Sequence, residues 1–224
     1  MPSLTLTRET IGQIRWAGLL YLVIIICGLG AELGVRSQLV DSADAAATAS
    51  AILGQPGLFR LAIAADLVMA MADIGLAILL FLVFRTMAPG LALAAMVFRL
   101  VQAVIIAANL MAMQAAWLVI SGGGDPVQAL FLLDLHGHGY DLGLFFFGIN
   151  SLLTGWLVWR SEVFGKLFGL GLMLAGLVYL AGSSLHFFAP DLLDAFTPAY
   201  GLTILAEAAF CLRLLLQRGI RAPG

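Results

Sequence analysis

Long apolar runs separated by short polar segments dominate the pattern of the chain. Six of these runs are long enough to cross a membrane, because a spanning helix needs about 20 mostly apolar residues. They lie near residues 16–35, 59–84, 91–120, 140–159, 164–188 and 200–216. Helix breakers such as Pro89-Gly90 and Gly122-Gly123-Gly124 lie between runs. The pattern therefore predicts an all-α, polytopic membrane protein built as a six-transmembrane-helix bundle.

The composition excludes the soluble alternatives. Hydrophobic residues make up 62% of the 224 residues, charged residues make up 11%, and the mean hydropathy is +1.05. An average soluble domain is about 45–50% apolar and about 25% charged, so a water-soluble fold could not cover these side chains. The net charge of −2 gives no signal for a polyanion, and we expect no nucleic-acid partner. Little chain remains outside the spans, which predicts a single transmembrane domain over residues 1–224.

The positions of arginine and lysine predict the orientation. Eight of them flank the spans on one side: Arg8, Arg15, Arg85, Arg160, Lys166, Arg213, Arg218 and Arg221. Only Arg36 and Arg60 flank the other side, while Arg99 lies within the third span. By the positive-inside rule both termini are cytoplasmic, and we expect a bacterial inner membrane. The first span also has features of a secretory signal, so the sequence leaves its cleavage open.

The connection after the first span contains a short apolar segment at residues 42–53. It is rich in alanine, begins with serine and aspartate residues suited to cap a helix, and is too short to cross the membrane. We expect an amphipathic or re-entrant helix on the outer side, ending before Gln55-Pro56-Gly57.

Ionisable side chains inside the spans are the most informative residues. Each costs about 2.5–3.5 kcal/mol at a helix centre, so each is expected to face the bundle and to have a partner. A rise of about 1.5 Å per residue puts Asp73 and Gln102 about 16 Å, and Arg99 about 12 Å, from the cytoplasmic end. This predicts an Asp73 pair with Arg99 and Gln102. Such a pair either sets the helix register or lets Arg99 hold an anionic group of a ligand.

A second polar group lies nearer the outer side. Asp66, Asn109 and Asp141 fall about 27 Å, and Glu32 about 24 Å, from the cytoplasmic end, which predicts a contact between Asp66 and Asn109. Six further polar residues lie near the same depth on the outer side, five at the start of the fourth span and one at the end of the fifth: Asp134, His136, His138, Tyr140, Asp141 and His186. Gly137 and Gly139 disfavour a regular helix here, and a turn would bring His136 and His138 together.

These positions predict a polar cavity that opens to the outer side. The ligand-binding candidates are Glu32, Asp66, Asp73, Arg99, Gln102, Asn109, Asp134, His136, Tyr140 and Asp141. Histidine with carboxylate also suits a divalent metal, although no metal-binding motif spacing occurs. The metal candidates are Glu32, Asp66, His136, His138, Asp141 and His186. No cofactor is required by the sequence, and no catalytic residue is identified.

Three functions remain open at this point. The first is binding or transport of a small polar ligand or ion received from the outer side. The second is a metal-dependent, membrane-embedded hydrolase acting on a lipid or amide. The third is a structural or assembly subunit, because intramembrane charges also hold complexes together. Membrane lipid is an expected partner in every case, while the oligomeric state and any enzymatic activity stay undetermined.

Two helices share a weak internal similarity. The segment from Asp66 to Arg85 aligns without gaps with the segment from Asp141 to Arg160, with six identities over twenty positions. Such a match suggests a duplicated helix pair. If the duplication is real, Asp66 and Asp141 occupy equivalent places in the bundle.

Several stretches of the chain resemble one family of membrane proteins. They are RWAGLLYL at 15–22, AELGVR at 31–36, FRLAIAAD at 59–66, FRLVQ at 98–102, LLDLH at 132–136 and GYDLGLFFFG at 139–148. Together they resemble a bacterial multi-pass family known as domain of unknown function four-three-eight-six. The likeness extends over nearly the whole chain and implies six membrane spans. It supplies no catalytic residue, because no activity is established for that family.

Overall fold

The computed structural model describes residues 6–217 and is all-helical over that range. The helices are α1 Arg8–Ala31, α2 Ser37–Leu39, α3 Ala45–Gly54, α4 Pro56–Phe84, α5 Pro89–Ser121, α6 Pro126–Arg160, α7 Lys166–Phe188, α8 Leu193–Phe196 and α9 Tyr200–Leu215. A π-helical turn, Glu32–Arg36, joins α1 to α2, and 3₁₀ turns flank α8. Arg218 and Arg221, which were used to predict orientation, lie outside the described residues.

Six long apolar helices form a closed ring. Consecutive long helices pack side by side from α4 through α7, α1 packs on α4, and α9 contacts both α7 and α1. Six candidate membrane spans are long and apolar enough to cross a membrane; the first continues from α1 through α2 to Leu39, and the last combines α8, its 3₁₀ turns and α9 over Pro190–Leu215. The short helix α3 lies against α4, α5 and α6 at one end of the ring. The prediction of an all-α, six-span membrane protein is confirmed.

Sequence signals at the helix ends explain where the long helices begin. Pro56, Pro89 and Pro126 each occupy a first position, where the missing N–H group would have no partner within the helix. Asp125 also caps α6 by accepting a hydrogen bond from the Val127 N–H group. At the turn before α7, Gly165 has φ of 97°, a conformation that favours glycine.

Two apolar cores fill the two ends of the ring. One packs around Phe84, Phe164 and Phe210, at the end where the described chain begins and finishes. The other packs around Ile52 and Phe59 and joins α3 to the ends of the neighbouring helices. Because large apolar side chains fill both ends, the polar residues of the spans are confined to the layers between them.

The fourth long helix differs from its prediction. It begins at Pro126, well before the predicted start at residue 140, and continues without a turn through Gly137 and Gly139. The two glycines therefore do not bring His136 and His138 together by breaking the helix. Gly139 instead permits a close approach to α5, since a Cβ atom there would collide with the side chain of Asn109.

Candidate functional site

The centre of the ring holds a polar network to which all six long helices contribute. Its members are Tyr21 from α1, Asp73 from α4, Arg99 and Gln102 from α5, Asn150 from α6, Tyr179 from α7, and Glu207 from α9. Buried polar groups in an apolar medium need such partners, because each unpaired one costs free energy. The network therefore ties every spanning helix to at least one neighbour.

Arg99 is the central cation of this network. Its Nε atom donates to Asp73 Oδ1 at 2.8 Å, its Nη2 atom lies 2.7 Å from the same oxygen, and only 2% of its side chain is exposed. Gln102 Nε2 donates to the other carboxylate oxygen at 3.3 Å. The predicted pairing of Asp73 with Arg99 and Gln102 is present. The rings of Tyr21 and Phe147 also lie 5.3 and 5.0 Å from the guanidinium carbon and add cation–π attraction.

Asn150 extends the network toward a small cavity. It accepts a hydrogen bond from Arg99 Nη1 at 3.3 Å and donates one to the Ala95 carbonyl at 2.7 Å. The cavity beside it has a volume of about 10 Å³ and is lined in part by Arg99 and Thr154. That volume is close to the roughly 10–15 Å³ that a single water molecule requires.

Glu207 joins the network from the last helix. Tyr21 donates to its Oε2 atom at 3.2 Å, and Tyr179 donates to its Oε1 atom at 2.5 Å. Both of its carboxylate oxygens therefore accept from tyrosine hydroxyls, one on α1 and one on α7. Each of these tyrosines lies near the middle of an apolar span, where its apolar surroundings made it resemble a packing residue.

A second polar group, the outer cluster, surrounds the end of the first long helix. It consists of Glu32, Arg36, Asp66, Asn109, His136 and Tyr140. Glu32 and Arg36 are the first and last residues of the π-helical turn. Turns of this kind widen a helix by one residue and occur often at functional sites.

Arg36 is shared between two carboxylates of the outer cluster. Its Nε atom donates to Glu32 Oε2 at 2.7 Å, and its Nη1 atom donates to Asp66 Oδ2 at 2.5 Å. Asp66 is fully buried, whereas the Glu32 side chain is 59% exposed. The pairing with Asp66 therefore uses one edge of the guanidinium and one carboxylate oxygen, not the two parallel bonds that arginine often makes.

His136 and Asn109 form the opposite part of the outer cluster. The Asn109 amide donates to the His136 carbonyl oxygen at 2.6 Å and to ring atom Nδ1 at 3.0 Å. The predicted contact between Asp66 and Asn109 is wrong, because Asp66 binds Arg36 and Asn109 binds His136. The Tyr140 ring lies between these parts: its centroid is 6.2 Å from that of His136 and 5.7 Å from the Arg36 guanidinium carbon.

The two parts of the outer cluster have unused hydrogen-bonding capacity. Within residues 6–217, three buried atoms of the cluster have no hydrogen-bond partner: Arg36 Nη2, Asp66 Oδ1 and His136 Nε2. Only 4% of His136 is exposed. Unpartnered polar atoms are uncommon in buried positions, and each calls for an explanation such as a bound water, ion or ligand.

A third polar group joins α6 to α7. His186 Nδ1 forms a short hydrogen bond with Asp141 Oδ2, and the His138 ring lies 4.4 Å from the His186 ring, centroid to centroid. Asp66 and Asp141, the matched residues of the internal similarity, thus each pair with a basic side chain from another helix. Asp134 is exposed on the same helix.

The six metal candidates are divided between these groups. Glu32 and Asp66 share Arg36, His136 binds Asn109, and the remaining three lie in the group around Asp141. In the part of the chain that the structure describes, no three histidine, cysteine, aspartate or glutamate side chains are arranged to hold a metal ion. The metal hypothesis stays a prediction without support from this geometry.

Arg36 is the functional candidate that sequence reasoning missed. It was counted with Arg60 as a charge flanking the outer side, yet its guanidinium reaches into the bundle, with 11% of the side chain exposed. The spacing of Glu32 and Arg36, four residues apart on one helical face, was an available signal. Arg60 differs, because it lies over the Trp117 ring at 4.8 Å, as expected near a membrane interface.

The fold and these polar layers define a multi-pass helical membrane protein. The family model described as "Domain of unknown function (DUF4386)" matches residues 16–217. The chain belongs to this family, which confirms the resemblance noted from its sequence. No curated protein and no solved structure matches the chain.

Proposed function

We propose that the protein binds a small polar ligand or ion in the outer cluster, within the half of the membrane opposite the chain termini. The observation that carries the proposal is the set of three buried, unpartnered atoms on Arg36, Asp66 and His136. They come from three different elements, and they include both a donor and an acceptor. Burying them without partners costs about 1–3 kcal/mol each, which a bound ligand would offset.

The difference between the two polar layers supports this assignment. In the central network, Asp73 uses both carboxylate oxygens, and Arg99 is surrounded by partners and aromatic rings. We assign to that network the role of holding the six helices in register. In the outer cluster, Asp66 uses one oxygen only. Within the described part of the chain, Arg99 Nη2 and Gln102 Oε1 of the central network also lack hydrogen-bond partners, although Arg99 Nη2 lies 2.7 Å from Asp73 Oδ1. The two layers therefore differ in how fully the buried carboxylate is used.

The surroundings of the outer cluster suit access from the same side. An open depression of about 450 Å³ begins at Ser37, the residue after Arg36, and is lined mostly by polar side chains and backbone up to Ala51. The depression is lined by residues that directly follow the π-helical turn in the chain. Transport would then require passage through the central network, which is a further step beyond binding.

Solute binding to the purified protein in lipid nanodiscs tests the proposal. Saturation-transfer NMR is recorded with glycerol, acetamide, acetate and acetamidinium. At least one solute is expected to give a signal that the Asp66→Asn and His136→Ala variants both reduce. Asp134→Asn is the matched control, since that carboxylate is exposed on α6. Signals that are equal in all four proteins would overturn the proposed binding site.

The proposed setting is the inner membrane of a bacterium, with both termini in the cytoplasm. Its support is the side on which the basic residues lie, because Arg8, Arg85 and Arg160 are all at the same end of the ring. Single cysteines test this in a background that lacks Cys27 and Cys211. A membrane-impermeant maleimide is expected to label Ser42→Cys in cells with a permeabilised outer membrane. It should label Glu162→Cys only after the inner membrane is opened, and the reverse result refutes the orientation.

A further inference from the structure

We propose that the corner where α6 turns into α7 binds an anionic diacyl phospholipid, such as phosphatidylglycerol, by its headgroup. The corner consists of Trp156, Trp159, Arg160 and Lys166, which we call the basic corner. It lies at the end of the ring where α1 begins and α9 finishes. The outer cluster is at the opposite end, so this inference is independent of the ligand proposed there.

Close packing of α6 and α7 brings the two cations of the basic corner to one place. A Cβ atom on Gly169 would lie 2.5 Å from the Trp159 backbone nitrogen and 2.7 Å from the Gly155 carbonyl oxygen, so the two helix backbones are in direct contact. Lys166, the first residue of α7, reaches across to α6, where its Nζ atom lies 5.8 Å from the centroid of the Trp159 ring. Arg160 follows that tryptophan and ends α6.

Each cation of the basic corner lies over a tryptophan ring. The guanidinium carbon of Arg160 is 5.8 Å from the centroid of the Trp156 ring, the same distance as that between Lys166 and Trp159. The two tryptophans are three residues apart and therefore lie on one side of α6. Trp156 is 47% exposed. Because tryptophan is enriched where a membrane meets water, this arrangement puts both cations at the depth of the lipid headgroups.

An apolar stripe begins beside the basic corner and runs along α7. Its members are Leu167, Leu170, Leu174 and Leu177, each between 40% and 77% exposed. Their spacing of three, four and three residues puts them on one face of the helix. A phospholipid has the same arrangement as this surface, since its charged headgroup is joined to acyl chains. A free phosphate ion would leave the stripe unused.

The charges around the basic corner favour an anionic headgroup. Glu162, in the loop between α6 and α7, adds one negative charge to the two positive charges, which leaves a net charge of +1. Arg213 is also near, but it donates to the Val163 and Phe164 carbonyl oxygens and so holds the loop in place. A zwitterionic headgroup has no net charge and gains less than an anionic one from a positive surface.

Two lipids with the same brominated acyl chains test the proposal, because bromine quenches the fluorescence of a tryptophan that it contacts. Full-length protein in detergent micelles is titrated with brominated phosphatidylglycerol or phosphatidylcholine. Trp16→Phe serves as the background, so that quenching at this end reports Trp156 and Trp159. We expect phosphatidylglycerol to bind at least about fivefold more tightly, since one net cation beside an anionic headgroup contributes about that factor. Equal affinities would overturn the proposal.

Charge variants locate the preference within this end of the ring. Arg160→Gln combined with Lys166→Gln is expected to abolish it, whereas Glu162→Gln should raise it about fivefold further. Arg85→Gln is the matched control, because Arg85 is an exposed cation at the same end, directly after α4, and its removal should keep the wild-type preference. A preference that survives in the double variant, or that the control lowers equally, would overturn the assignment to this corner. If the double variant fails to fold, the Glu162→Gln result replaces it, and an unchanged preference there overturns the assignment.

Inorganic phosphate separates a lipid from a free anion. The titration with brominated phosphatidylglycerol is repeated with phosphate at the same concentration as the lipid. We expect the lipid to stay bound, because its acyl chains also cover the apolar stripe. Displacement by phosphate would show a site for a free anion and would overturn the lipid assignment.

Discussion

Removing the charge of Asp73 should destabilise the protein severely, because Arg99 would become an uncompensated cation. Asp73→Asn keeps the shape of the side chain but removes the negative charge 2.7 Å from the guanidinium. Breaking a buried ion pair on one side costs about 3–5 kcal/mol. Cation–π contacts with two aromatic rings remain and offset part of this cost. We therefore expect the free energy of unfolding to fall by about 3 kcal/mol, which is the lower end of that range.

That loss corresponds to more than a hundredfold increase in the unfolded population, since about 1.4 kcal/mol is a factor of ten. The free energy of unfolding is measured by titration of the protein in mixed micelles with sodium dodecyl sulfate. Asp134→Asn is the control and should lie within about 0.5 kcal/mol of wild type, because its carboxylate is exposed.

A double variant separates a structural pair from a binding residue. Asp73→Leu with Arg99→Met replaces both charges by apolar side chains, and such replacements are often neutral or stabilising by about 1–4 kcal/mol. We expect the double variant to be more stable than Asp73→Asn and to keep probe binding in the outer cluster. A single variant as stable as wild type, or a double variant that is less stable than the single one, would refute the reasoning.

Two further predictions concern packing and the last helix. Gly169→Ala should destabilise the protein by about 1–3 kcal/mol, because the added Cβ would lie 2.5 Å from the Trp159 backbone nitrogen and α7 would have to move away from α6. Thermal unfolding measures this change in stability. Gly137→Ala has open space and should be neutral or stabilising by up to about 1 kcal/mol, so equal losses would contradict the packing argument. Glu207→Leu should lower the free energy of unfolding by about 1–3 kcal/mol for each tyrosine hydroxyl that it leaves unpaired. Glu207→Gln should keep most of the stability, because its side chain can still accept a hydrogen bond. A Gln variant as unstable as the Leu variant would show that the charge of Glu207 matters instead.

The central pair was accessible from the sequence, while the outer pair was not. Asp73 and Arg99 lie in adjacent antiparallel spans, so residue counting alone matched their depths within about 4 Å. Arg36 lies at the end of its span, where counting could not say whether its side chain turns outward or inward. The π-helical turn decides this by rotating Arg36 toward Asp66, and no local signal predicted the turn.

The length and polarity of the apolar runs determined that this chain forms six membrane-spanning helices. In hydrocarbon the backbone must satisfy its hydrogen bonds within each helix, so the spans follow from composition and local pattern. Which side chains meet is a property of the tertiary structure. The closing contact of α9 with α1 brings Glu207 to Tyr21, across 186 residues of sequence. Such partners depend on helix rotation and ring closure, which pair residues that no local pattern connects.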